Sequence, residues 1–313
     1  MYETSALEYL KLTIYYASYL YFAAAAFLIW VMATRSARSR VIAGAVLVPL
    51  TVLAYARFVE PRVLFTVEHA VALEGCFPEA GEFRIAVFSD THIGIFANAM
   101  PIERIARAAK AAAPDAVLIA GDLTYNLDPR RFAQAFGPLG GVGAPVYYVL
   151  GNHDVGLPGL DVSEPLKGAL AKIGAIDLED RTVDAEFRGA VVEFAGLSDM
   201  WRRRQVIAVT ERPSEVPRIL LTHQPRTLYK LTERSDVDLL IAGHTHGGQI
   251  FVPGLTCDAI PIACSPFRHG FERFEPAGVF ITSGTGMSGV PLRFLVPPRV
   301  DVLNVSYGAC PAQ

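Results

Sequence analysis

The chain has 313 residues, 52% of them hydrophobic, and a formal net charge of −3. That length allows one or two domains with an ample core. The acidic balance leaves no nucleic-acid-binding surface, and four cysteines with no Cys-x-x-Cys pair argue against a thiolate zinc site.

The hydrophobic excess lies at the front. Residues 12–33 carry no charge and, as a helix, would extend about 33 Å, enough to cross a bilayer. A second apolar run, 41–56, is shorter and contains Pro49, with Arg57 placed to snorkel. Residues 1–62 are therefore expected to form a membrane anchor, with two transmembrane helices as the preferred reading and an interfacial second run as the alternative. A cleaved signal peptide is not expected, because the first residues lack a positive region. Arg35, Arg38 and Arg40 lie between the runs and place that connection in the cytoplasm. With two spans, the N-terminus and everything after residue 60 are extracytoplasmic. Arg57 and Arg62 also flank the second run, and with one span the orientation reverses.

Pro61 and the GCFPEAGE stretch at 75–82 read as a linker into a domain over 63–313. Strands are expected at 83–89, 116–121 and 146–151, alternating with helical periodicity at 101–113 and 131–139. That alternation implies parallel strands in an α/β layer. From 190 onward the pattern changes to strands with short connections, at 190–197, 218–223, 238–244, 249–253, 278–284 and 300–306. These predict a second, mixed sheet packed on the first.

The chemistry-bearing residues stand where the strands end. The first strand is followed by Asp90 and His92, the second by Asp122, the third by Asn152, His153 and Asp154. The RILLT strand is followed by His223, and DLLIAG by His244 and His246. Asp90 or Asn152 could each cap a helix, and Asp122 could start a turn. Together, Asp90, His92, Asp122, Asn152, His223, His244 and His246 are too many ligands for one ion and suit two ions sharing a bridging carboxylate. Carboxylate, imidazole and amide donors without thiolate suit manganese first, with iron or zinc as alternatives. Two such ions about 3.5–4 Å apart clamp a phosphoryl group and activate a shared water as hydroxide. Nothing in the chain reads as a nucleophile elbow or a P-loop.

The blocks DTH, GD, GNHD, a lone histidine and GHTH, in that order over 83–306, resemble the calcineurin-like metallophosphoesterases. GHTHGGQ, SGTGMSGVPLRF and FVEP are similar to the bacterial membrane-associated branch of that family. The resemblance implies a four-layer α/β/β/α sandwich, two packed mixed sheets flanked by helices, behind an N-terminal transmembrane segment. It also implies one ion on Asp90, His92 and His246, a second on Asn152, His223 and His244, and Asp122 bridging. In that scheme Asn152 also stabilises phosphoryl charge, His153 contacts the phosphate and protonates the leaving group, and Asp154 orients His153. The expected function is a membrane-anchored phosphodiesterase working through a dinuclear centre and bridging hydroxide. The alternatives are a pyrophosphohydrolase acting on a lipid-linked nucleotide sugar and a non-catalytic metal-stabilised scaffold.

Other residues stay open at this level. Cys76, Cys257, Cys264 and Cys310 read equally as disulfides or buried thiols. The cluster Trp201, Arg202, Arg203 and Arg204 reads as a solvated loop in preference to a rim for phosphate or anionic headgroups. Arg293 could approach a phosphate or pair with an acid, and His69 and His269 are assigned structural roles.

Overall fold

The structure, a computed structural model, describes residues 6–97, 99–202, 205–259 and 265–310. Helix α1 (Ala6–Ala17) runs into α2 (Leu20–Thr34) through a bend at Ser18 and Tyr19, and α3 (Ala37–Ala54) returns antiparallel to it. Ser18 Oγ donates to the Tyr15 carbonyl at 2.6 Å, a back-bond that bends helices. Pro49 lies inside α3 without ending it, and helical turns continue to Arg62. Segments Ala6–Thr34 and Ala37–Arg62 are each long and apolar enough to cross a membrane. No linker follows. The chain passes from the 3-10 turn Glu60–Arg62 almost directly into β1 (Phe65–Phe77), so most of the expected linker at 75–82 is the end of one strand and the start of the next.

Two six-stranded mixed sheets form the body. The first runs β1, β14 (Arg299–Ala309), β2 (Gly81–Phe88), β4 (Ala116–Ala120), β6 (Val146–Val149), β7 (Ile176–Asp177). Within it β2, β4, β6 and β7 are parallel, and β14 joins β2 antiparallel. The second runs β12 (Gly270–Arg273), β13 (Gly278–Ile281), β11 (Leu239–Ala242), β10 (Arg218–Leu221), β9 (Ala190–Gly196), β8 (Arg181–Phe187). Its four central strands are parallel. A short pair, β3 (Ile93–Gly94) and β5 (Thr124–Tyr125), joins two of the site loops. The expected strand at 249–253 is absent: Gln249 ends a 3-10 turn, and Ile250 makes only an isolated bridge to Phe294.

Strand alternation sorts the side chains. Ile219 and Leu221 point between the sheets with Ile85, Val87, Leu118, Phe194 and Phe280, while Leu220 points to the outer layer with Leu240 and Val279. The outer face of the first sheet packs on α4 (Ile102–Ala111), α5 (Phe132–Phe136) and α6 (Ser163–Ala171). The fourth layer is thin, made of the 3-10 turns Ile207–Thr210 and Pro225–Lys230 with their loops. Cys257 and Cys310 are disulfide-bonded, not free thiols. Cys264, Arg203 and Arg204 lie outside the described residues, and the Cys76 side chain is likewise not described.

Candidate metal centre

Because β2, β4 and β6 are parallel in one sheet and β10 and β11 in the other, their carboxyl ends bring five loops to one edge, where α/β folds place their sites. The loops are knitted across the sheets. Thr285 and Gly286 donate from the loop after β13 to the carbonyls of Ser89 and Asp90, at 3.1 and 2.7 Å. The His244 amide donates to Asp90 Oδ2 at 2.9 Å.

The backbone here is strained. Asp90, His92, Asp122, His244 and His246 hold φ between 44° and 68°, where side chains other than glycine are uncommon. Such strain persists only when surroundings impose it, and it clusters at functional sites. Gly151 makes the approach possible, since a Cβ there would lie 2.2 Å from Asp122 Oδ1.

All seven expected ligands converge, and all but His244 are buried. Asp90, His92 and His246 form one group. His92 Nε2 faces His246 Nε2 at 2.9 Å with the rings stacked, and Asp90 Oδ1 lies 3.4 Å from His246 Nε2. Asp122, His223 and His244 form another. Asn152 joins it, with Oδ1 3.2 Å from His223 Nε2 and its amide nitrogen donating to the Leu157 carbonyl at 2.6 Å, which turns the oxygen toward the site. Asp122 Oδ2 stands between the groups, 3.6 Å from His92 Nε2 and 3.2 Å from His223 Nε2. Its Oδ1 accepts the His153 amide at 2.8 Å.

The donor atoms fit divalent cations. His223 Nδ1 donates to the Ala120 carbonyl at 2.8 Å, which aims Nε2 inward. Burial lowers the pKa of His92 and His246 well below the usual imidazole range, and burial with His223 nearby brings His244 down to about 3. These rings are neutral, as metal ligation requires. Burial would also lower His223, but Asp122 and Asp90 outweigh it and push it up to about 10. Positive charge is therefore favoured at that spot. Two buried neutral imidazoles facing nitrogen to nitrogen beside two carboxylates make a donor set of the kind that binds manganese, iron or zinc.

His153 forms a third group with His92 and Asp122. Its ring lies 4.8 Å from that of His92 and 4.1 Å from that of Tyr125, and its Nδ1 has no hydrogen-bond partner. Asp154 does not orient that ring. Its carboxylate accepts the backbone amides of Gly151, Leu123 and Thr124 at 2.8–3.1 Å, so it fastens the β6 loop to the β4 loop. Its side chain turns inward because those amides, left unpaired by the tight turns, need an acceptor in a buried place.

Arg293 takes neither expected part. It is fully buried, donates to the carbonyls of Gly286, Val296 and Ser283, and backs His246 with one guanidinium nitrogen 3.4 Å from Nδ1. His69 is structural, paired with Asp301 Oδ1 at 2.9 Å. Arg202 pairs with Asp161, while Trp201 meets the His244 ring edge-on at 5.1 Å. Sequence reasoning missed Lys11. From α1 its Nζ donates to the Tyr125 hydroxyl at 2.6 Å, and Tyr15 stacks on Phe96, so the first helix packs against the site. The signal was Glu8, Lys11 and Tyr15 on one side of α1, at helical spacing.

Residues 83–248 match the family model for calcineurin-like phosphoesterases. The chain belongs to the calcineurin-like phosphoesterase family. It is a metal-dependent phosphoric ester hydrolase by that membership. It is 29% identical to the metallophosphoesterase YkuE of Bacillus subtilis, over 80% of this chain and 88% of that protein. It is 26% identical to the phosphodiesterase YaeI of Escherichia coli, over 80% and 92%. A zebrafish transmembrane protein with a metallophosphoesterase domain is 28% identical, over 88% of this chain and 64% of its own length.

Proposed function

We propose that this family member is a membrane-anchored phosphodiesterase with a dinuclear centre. The carrying observation is Asp122, whose one carboxylate oxygen reaches both ligand groups. Asp90, His92 and His246 would hold one cation, Asn152, His223 and His244 the other, with Asp122 shared and manganese the first choice. Bound, the pair would supply the positive charge that polarises the phosphoryl group and activates water. The chain's own residues do the rest. The Asn152 amide nitrogen keeps its oxygen facing inward. Burial lowers the His153 pKa, which favours the neutral ring, so His153 would offer a hydrogen bond to the phosphate and would not be the expected proton donor to the leaving oxygen. Asp154 and Arg293 hold the loops against the strain they carry.

The anchor reading rests on the two apolar helices, the family's transmembrane relatives and the packing of α1 on the site. Arg35, Arg38 and Arg40 lie at the α2–α3 turn and set it in the cytoplasm, leaving the catalytic body outside. The disulfides at Cys257 and Cys310 suit an oxidising compartment. An impermeant maleimide should label Ser39→Cys, in a background lacking the native cysteines, only after the membrane is opened. Labelling of intact cells would reverse the orientation.

The activity test uses the full chain, since Lys11 belongs to the site's surroundings. Protein stripped by chelator should not hydrolyse bis(p-nitrophenyl) phosphate, and manganese should restore turnover by at least about a hundredfold. Equal turnover with and without metal would reject the reading.

A further inference from the structure

A cavity of about 750 Å³ opens directly beside His244. Its wall is mostly apolar and aromatic: Met200, Trp201, Pro225, Tyr229, Pro266 and Phe267. Trp201 and Tyr229 are 56% and 71% exposed, large aromatic surfaces turned to solvent at a catalytic mouth. Among the described residues one cation stands in the wall, Arg226, which is exposed and has no ion pair or hydrogen bond there. It shares the cavity lining with His244, so it stands at the mouth of the centre.

We propose that this cavity receives the apolar part of an amphiphilic phosphodiester, with Arg226 taking an anionic oxygen that the centre does not hold. This rests on the phosphodiesterase reading and names the substrate class of the same site. Each feature has a chemical counterpart. An unpaired guanidinium beside the centre calls for an anionic oxygen the centre leaves free, such as the second non-bridging oxygen of a diester or the second phosphate of a pyrophosphate. Exposed Trp201 and Tyr229 with the buried Phe267 behind them give an apolar surface that water leaves favourably when a hydrocarbon covers it. The source of such a molecule is close by. Lys11 contacts Tyr125, whose ring lies 4.1 Å from His153, and the apolar length of the anchor continues from the same helix. The exposed Tyr16 and Tyr19 on the same segment suit a membrane interface, so the catalytic body sits at headgroup level. A phosphate ester embedded in the bilayer by its chain would reach this mouth.

The test is binding by the full chain in phosphatidylcholine nanodiscs loaded with manganese, followed by intrinsic tryptophan fluorescence. The probes are methylphosphonate, decylphosphonate and a nucleoside phosphonate. Full transfer from water is worth about fourfold per methylene, so decylphosphonate should bind at least about tenfold more tightly than methylphosphonate. Tyr229→Ala should shrink that ratio, and Arg226→Gln should weaken both probes several-fold. Partition into the disc is common to all variants and cancels. Equal binding of the two alkyl probes would overturn the proposal, as would tighter binding of the nucleoside phosphonate, which would assign the aromatic wall to a base. A chain-length preference in a protein that hydrolyses no diester would support the cavity assignment and reject the phosphodiesterase reading.

Discussion

Asp122→Asn should lower manganese-dependent diester hydrolysis by at least about a thousandfold while leaving the fold intact. The reasoning starts with position. Asp122 follows β4 through Gly121, at a φ of 53°, with Oδ1 tied to the His153 amide and Oδ2 open to both ligand groups. Burial would raise its pKa, but His223 and the other imidazoles hold it well below the usual carboxylate range, so it is charged at any working pH. Asparagine keeps the shape and the bond to His153 and removes that one charge. The protein should retain its thermal midpoint within a few degrees when stripped of metal. A variant keeping more than a tenth of wild-type turnover would remove Asp122 from the centre of the scheme.

Glu193→Ala is expected to cost about 3–5 kcal/mol, the largest stability loss from one substitution outside the site. Glu193 and Arg218 are buried side by side on β9 and β10 in the second sheet. Arg218 Nε donates to Glu193, and Nη1 donates to the carbonyls of Thr210 and Asp236 at 3.1 and 2.8 Å. Exposed Arg212 reaches the other carboxylate oxygen. Removing the acid leaves a guanidinium with no exposure and no directly paired carboxylate. For a body of this size the thermal midpoint should fall by roughly 6–20 °C. The pair Glu193→Met with Arg218→Met should recover most of that loss, because the attraction of a buried pair is largely offset by its desolvation. A single variant within 1 kcal/mol of wild type, a bound set by the scatter of ordinary surface changes, would show that water reaches Arg218.

The contrast between these two sites explains what the sequence made legible. Ligands at strand exits are read easily, because each apolar run ends in a short polar block and parallel strands collect those blocks at one edge. Asp90, His92, Asp122, His223, His244 and His246 fall into groups that could hold a metal ion, and Asn152 meets His223 beside them. What a polar residue does with its second atom depends on partners distant in sequence. Asp154 follows His153 yet bonds the backbone of Leu123 and Thr124, some thirty residues earlier. Arg293 bonds backbone carbonyls under His246. Strand β1 was missed because FTVEHAVALEGCF holds two acids and a glycine, and its partner β14 is more than two hundred residues away. The run at 249–253 is apolar yet pairs in no sheet, and Ile250 makes only an isolated bridge to Phe294. Helix α1 looked like the start of a span. Its Glu8, Lys11 and Tyr15 face the catalytic body while Leu7, Leu10 and Ile14 face outward, an arrangement that only the folded body explains.

The central claim is that these loops hold two cations at once. Its most direct test is the metal content of the full chain after chelation and equilibrium with manganese, counted by mass spectrometry on a desalted sample. Two ions per wild-type chain, and close to one in His246→Ala with hydrolysis lost in the same sample, is the predicted result. One ion per wild-type chain with full diester hydrolysis would contradict the dinuclear account.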